Sequence, residues 1–290
     1  MSQGTREHEI DLTDHTSAAN GGSGHPDSAE SGPLPVEDEI KVGQLYTIAR
    51  AVIRPTLKLF WRIRVEGLEH VPTEGPAIIA PNHSAAIDSF FVPCVLPRRI
   101  TYVGKAEYLD DWKTAKLFPA MGMIPLDRSG GSASERALNT AARVLDRGEL
   151  FGIYPEGTRS RTGKLHKGHT GVARLALRCN APIVPVGLIG TREVQPPEVK
   201  VPRPFRTVTV RFGTPIDVTR YRERAHDRYV LRQITDEVMF EIRALTGLAY
   251  DPTYATRSGT EAEPTKLDSD ELTIPRRSSA ELLSGASGPA

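Results

Sequence analysis

Between residues 40 and 250, short runs of β-branched and apolar residues alternate with longer segments of helical period, and Gly or Pro marks most of the changes. This alternation constrains the fold more than any other feature of the chain. Expected strands are Pro76 to Ala80, Ile100 to Gly104, Met123 to Leu126, Leu150 to Tyr154, Ile183 to Leu188 and Thr207 to Phe212. Helices are expected between them, most clearly Ser134 to Arg147, closing at Gly148, and His226 to Leu245, ending at Gly247. The pattern predicts an α/β fold: a mixed, mainly parallel β-sheet covered by helices. No internal repeat interrupts it.

The near-neutral total charge of +1 conceals an uneven distribution. Residues 1–39 carry −8 and residues 251–290 carry −3, which leaves +12 on the body between them. A basic body favours an anionic partner such as phosphate, coenzyme or a membrane surface. Both tails are rich in polar and small residues without apolar period, and are expected to be disordered. A single domain over residues 40–250 is long enough to bury a substantial core. Cys94 and Cys179 lie in apolar surroundings far apart, as in a reduced protein with two buried thiols. The first thirty residues lack a secretory signal pattern, and no apolar run is long enough to cross a bilayer. The expected location is cytoplasmic.

Ahead of the first expected strand, Ile40 to Val65 has the look of an amphipathic helix. Arg50, Arg54, Lys58 and Arg62 recur every four residues, while Leu45, Ile48, Val52, Leu59, Phe60 and Ile63 supply apolar area; Pro55 is expected to kink it. Such a segment suits an anionic membrane interface, with cations at the headgroups and apolar side chains below them. It equally suits an ordinary helix packed on its own domain.

The first chemistry-bearing run is Pro81 to Asp88, PNHSAAID. His83 and Asp88 are five residues apart, too far around a regular helix to meet, but a strand–loop–helix passage would bring them together. Asp88 would then fix the imidazole tautomer and leave the other ring nitrogen to accept a proton from an alcohol. No GxSxG elbow is present, so the nucleophile would be the substrate's own hydroxyl. Taken alone, the pair also fits a structural histidine at a loop.

Three further runs follow in order: GMIPLDR at Gly122 to Arg128, YPEGTRS at Tyr154 to Ser160, and APIVPVG at Ala181 to Gly187. With NHSAAID they resemble the four ordered motifs of the glycerolipid acyltransferase family, whose members include 1-acylglycerol-3-phosphate acyltransferases. The resemblance covers Asn82 to Gly187. It implies that His83 is the general base and Asp88 its orienting partner, with direct acyl transfer from acyl-CoA or acyl-carrier protein. No metal and no cofactor beyond that co-substrate is expected, since His166 and His169 lack a supporting Cys or carboxylate cluster.

The acceptor implied is a phosphate-bearing glycerol, lysophosphatidate first. Arg128 and Arg159 offer planar forks suited to a phosphate monoester, and Gly157 would let backbone approach it. Asn82, Glu156, Thr158 and Lys105 complete the expected substrate-binding set. Glu156 would fix Arg159 or meet a glycerol hydroxyl, and Lys105 would stabilise the oxyanion or meet donor phosphates. Lys164, Lys167 and Arg174 offer further positive charge near a helix start, and the fourth motif would form a wall for the acyl chain. The sequence departs from the family pattern in having Ala85 where a Ser is common, and Tyr154 where Phe is frequent. The expected enzyme sits peripherally on the inner face of the cell membrane and has no nucleic-acid partner. Two alternatives stand beside it: an acyltransferase for another lysophospholipid or alcohol, and a non-catalytic lipid-binding or membrane-tethering module of the same fold.

Overall fold

A computed structural model describes residues 36–105, 121–126, 133–197 and 199–256. Strands β2 (Ala77–Pro81), β5 (Leu150–Gly152) and β7 (Ile183–Ile189) form the centre of a seven-stranded sheet with the order β1-β8-β7-β2-β5-β3-β4. Strands β3 (Ile100–Lys105) and β4 (Met123–Leu126) close one edge; β8 (Thr207–Phe212) and β1 (Arg62–Glu66) close the other. Pairing is parallel throughout except for β7 with β8, which is antiparallel. The sheet is thus mixed and mainly parallel, as the alternation predicts. Strands β2, β3, β4, β5 and β7 all point one way, so their carboxyl ends share one edge, where open α/β sheets place their ligands.

The central strands are apolar on both faces because both faces are covered. Ile78 and Ala80 pack beneath helices α3 (Ala133–Asp146), α4 (Gly171–Cys179) and α6 (Arg228–Thr246), against residues such as Leu145, Leu175 and Ile234. Ala77 and Ile79 face the opposite layer, made by α1 (Val36–Phe60) and α2 (Asp88–Val95), where Leu57, Phe91 and Val92 are buried. Helix α6 shows its boundaries locally. The Asp227 carboxylate accepts from Tyr229 N at 2.8 Å as N-cap, and Gly247 closes the helix at φ 70°. A four-residue helix, α5 (Thr191–Val194), follows β7, and two short strands, β6 (Leu165–His166) and β9 (Tyr250–Asp251), pair parallel outside the main sheet.

The segment expected to be helical over residues 40–65 divides in two. Helix α1 ends at Phe60, and Arg62–Glu66 form β1, paired residue for residue with Thr207–Arg211. Ile63 and Val65 alternate with Arg62, Arg64 and Glu66, a strand period hidden behind the four-residue recurrence of the preceding cations. Pro55 lies within α1. Among the described residues no helix is long and apolar enough to cross a membrane. Cys94 is buried, its thiol pushed up to about 11 by desolvation, whereas Cys179 is only half-buried; both are free. The segments 1–35 and 257–290 of the expected tails lie outside the described residues.

Candidate active site

The chain leaves β2 at Pro81, and the next residues build the centre of the site before α2 begins at Asp88. The strand–loop–helix passage brings His83 and Asp88 together: His83 Nδ1 lies 2.9 Å from Asp88 Oδ2. The same carboxylate oxygen accepts from Ser84 N at 2.7 Å and Ala85 N at 2.9 Å. Asp88 is fully buried; all three donors meet Oδ2, and Oδ1 is buried without a hydrogen-bond partner among the described residues. The loop is folded around the carboxylate. With Nδ1 donating to the carboxylate, Nε2 is the ring nitrogen left able to accept a proton.

Asn82 precedes this pair and is also buried. Its Nδ2 donates to Leu188 O at 3.0 Å and its Oδ1 accepts from Leu188 N at 2.7 Å, which ties the loop to β7. The side-chain amide of Asn82, expected to contact substrate, is held by the sheet, where it positions the histidine that follows. The fourth motif is corrected, since Val184 and Val186 are fully buried core residues, not a pocket wall.

The YPEGTRS turn leaves β5, the parallel neighbour of β2, and is locked onto His83 from the other side. His83 N donates to Glu156 Oε1 at 3.2 Å, and Ser160 N donates to His83 O at 2.7 Å. The second Glu156 oxygen accepts from His166 N at 2.9 Å. Glu156 is 1 % exposed, and burial pushes its carboxyl up to about 7 against the opposing pull of the two backbone N–H donors. Its expected contacts with Arg159 or a glycerol hydroxyl are replaced by these backbone bonds. Glu156 braces the first motif against the third.

Tyr154, at first sight only a departure from the family pattern, has a definite place in the site. Its ring stacks on the imidazole of His83 with centroids 3.9 Å apart and planes 16° from parallel, and Tyr102 stands behind it at 5.8 Å. Its hydroxyl meets Ser89 Oγ at 3.3 Å. Gly152 makes the room for Tyr102: an added Cβ would lie 2.0 Å from that ring. The stack and the Asp88 bond together fix the imidazole plane. Gln195 is a second residue absent from the expected set; its Oε1 accepts from Ile87 N at 2.9 Å, at the entry to α2. Position within a motif would have flagged Tyr154, but nothing in the sequence marks Gln195.

The remaining expected residues are distributed unevenly. Gly157 adopts φ +71° and faces His169, whose Cδ2 would lie 2.9 Å from an added Cβ, so the turn requires glycine. Thr158 and Arg159 follow at the half-buried surface of the turn. Lys105 ends β3 at the carboxyl edge of the sheet, and Leu126 ends β4 in register with it. Arg128 lies outside the described residues. Of the two histidines, His166 Nε2 meets Thr162 Oγ1 at 2.8 Å and His169 stacks on Tyr254 at 4.5 Å. Among the described residues no group of three or more His, Cys, Asp or Glu side chains is placed to hold a metal ion.

The carboxyl edge of the mixed sheet thus presents a histidine–aspartate pair braced by a PEGTRS turn. The Acyltransferase family model matches residues 62–189. Among curated proteins the chain is similar to a 1-acyl-sn-glycerol-3-phosphate acyltransferase of Limnanthes douglasii, 34 % identical over 177 residues, a match covering 58 % of this chain and 62 % of that protein. It is also similar to the human 1-acyl-sn-glycerol-3-phosphate acyltransferase alpha, 29 % identical over 126 residues, covering 43 % of this chain and 44 % of that protein. The chain thus spans under two thirds of the length of these relatives. The crystal structure of the 1-acyl-sn-glycerophosphate acyltransferase PlsC from Thermotoga maritima shares the fold, with a TM-score of 0.58 at 21 % identity over 73 % of this chain and 83 % of that one.

Proposed function

We propose that the protein is an O-acyltransferase that moves a fatty acyl group from acyl-CoA or acyl-carrier protein to the free hydroxyl of 1-acylglycerol-3-phosphate, giving phosphatidate. The observation that carries this reading is the His83–Asp88 contact of 2.9 Å inside a loop held by backbone donors on both sides. The names of the relatives supply the acceptor class.

In the reaction, His83 Nε2 takes the proton of the acceptor hydroxyl as the oxygen attacks the thioester carbonyl. Asp88, hydrogen-bonded to Nδ1, stabilises the imidazolium that forms and holds its tautomer. Collapse of the tetrahedral intermediate breaks the C–S bond, and the imidazolium proton passes to the departing thiolate. The thioester donor is activated, so no acyl-enzyme is needed. Arg159, on the turn that also positions His83, is the cation assigned to the acceptor phosphate, with Lys105 and Arg128 assigned to the oxyanion or to phosphate from the sequence pattern. In this reading helix α1 lies on an anionic membrane, where the lipid substrates reside.

Thiol release from acyl-CoA, measured with lysophosphatidate, glycerol 3-phosphate and lysophosphatidylcholine in turn, tests the reading. Release that depends on lysophosphatidate supports it. Equal release with every acceptor, or release without any, overturns the acceptor assignment.

A further inference from the structure

Helix α1, on which the membrane-facing part of the proposed function rests, has a second element beside it. The helix itself is apolar on two sides. Tyr46, Ile53 and Leu57 face the domain, while Ile48, Val52 and Leu59, aligned on the opposite side, are 62 %, 62 % and 72 % exposed. At the carboxyl end of that helix lies the loop 199–206, VKVPRPFR. Its Val201 and Phe205 are each 76 % exposed.

This loop is not a loose strand of apolar residues. Arg203 N donates to Val194 O at 2.8 Å, Phe205 N donates to Phe60 O at 2.6 Å, and Arg62 N donates to Arg206 O at 3.0 Å. The Trp61 indole donates to Arg203 O at 2.8 Å. These bonds hold Phe205 at φ 59°, a left-handed conformation that is unfavourable for a bulky L residue, with its ring 6.5 Å from that of Phe60 and turned outward. The fold therefore pins the loop firmly while leaving Val201 and Phe205 in water. Lys200, Arg203 and Arg206 alternate with them, residues 199–206 contain no acid, and Arg54, Lys58 and Arg62 lie on the adjoining helix end and strand. Apolar tips between cations match an anionic lipid surface, where aromatic and aliphatic groups enter below the headgroups and Arg and Lys remain level with the phosphates.

We infer that the loop 199–206 is a bilayer-inserting wedge, in which Val201 and Phe205 enter an anionic membrane alongside Leu59 and Phe60 of α1. The wedge is joined to the active-site loop by one side chain: Gln195 donates to Lys200 O at 3.1 Å and accepts from Ile87 N at 2.9 Å. An apolar groove of about 290 Å³ lies under the loop, with Ile53, Leu57, Ile87, Phe90 and Pro202 on its walls. Docking through the wedge thus sets the loop of His83 at a defined depth beside the lipid. The inference deepens the membrane assignment of the proposed function, but its test needs neither acyl donor nor acceptor, so an inactive protein would still report on it.

The experiment measures partition of the full-length protein onto vesicles of equal parts phosphatidylglycerol and phosphatidylcholine. The double variant V201S/F205S should bind about tenfold or more weakly, with its thermal midpoint unchanged, since each exposed apolar side chain contributes on that scale. In a second arm, the indole introduced by F205W should shift its emission to the blue on vesicle binding and be quenched by lipids brominated on the acyl chain. Unchanged binding of the double variant would overturn the wedge, as would emission from the F205W indole that stays solvent-like while the protein sediments with the vesicles. Equal affinity for pure phosphatidylcholine vesicles would overturn the part assigned to charge.

Discussion

Replacing Glu156 by Gln separates the brace from its charge. Both carboxylate oxygens accept a backbone N–H, from His83 and His166, in a site that excludes water. Desolvation outweighs these bonds and raises the carboxyl from 4.5 to about 7. Because the folded-state value lies above the unfolded one, the native protein binds this proton more tightly between them. Stability from this group is therefore fully present below about pH 4.5, falls as pH rises towards 7, and is constant beyond. A difference of this size corresponds to about 3 kcal/mol between about pH 4.5 and about pH 8. The Gln variant cannot ionise, so its stability should lack that component. It also leaves one of the two N–H groups facing an amide NH2, at a cost of about 1–3 kcal/mol that does not vary with pH.

The assay is urea unfolding of wild type and E156Q at half-unit steps of pH, taking the difference so that other titrating groups cancel. That difference should change by about 3 kcal/mol in favour of the variant from about pH 4.5 to about pH 8, equivalent to about 6–12 °C in thermal midpoint for a domain of this size. Parallel curves would refute the argument, since they would mean that Glu156 titrates alike in the folded and unfolded chains.

Other substitutions test other parts of the site. D88N can keep an oxygen toward His83, Ser84 and Ala85, and should lose turnover by about ten- to a hundredfold through loss of the charge while staying folded. D88A strands all three donors and should in addition destabilise the protein by about 3 kcal/mol or more, seen in urea unfolding. If D88N and D88A matched in both rate and stability, the triple-acceptor role would fail. R159A should raise KM for lysophosphatidate by at least about tenfold with a smaller effect on kcat, and an unchanged KM would remove it from the acceptor phosphate. G157A forces a Cβ into a left-handed turn against His169, so its thermal midpoint should fall by several degrees; an unshifted midpoint would show that the turn yields.

Period and punctuation made the sheet legible because its central strands are apolar on both faces and bounded by Gly, Pro or a motif. Strand β1 escaped them. Its half-exposed side chains alternate with arginines that also continue the cation spacing of α1, so local pattern favoured helix and only pairing with β8 decides for strand. In the site, the His83–Asp88 pairing could be anticipated, since chemistry requires an acceptor behind the base and a loop permits the reach. The work done by Asn82 and Glu156 could not. Both are polar residues in motifs and invited roles on substrate, but each meets backbone groups outside its own motif, Leu188 for one and His83 and His166 for the other. Composition is silent on such bonds because backbone donors belong to nearly every residue. Gln195 was invisible for the same reason.

The most direct test is whether phosphatidate appears, and whether it depends on His83. Wild-type protein and H83A, both checked for folding, are incubated with acyl-CoA and lysophosphatidate bearing a distinguishable acyl chain, and the lipids are analysed by mass spectrometry. Wild type should yield phosphatidate carrying one chain from each substrate. H83A should lose that product by about a thousandfold or more, because the proton of the acceptor hydroxyl has no other base in the loop. Phosphatidate formed by H83A at a rate within about tenfold of wild type would contradict the account.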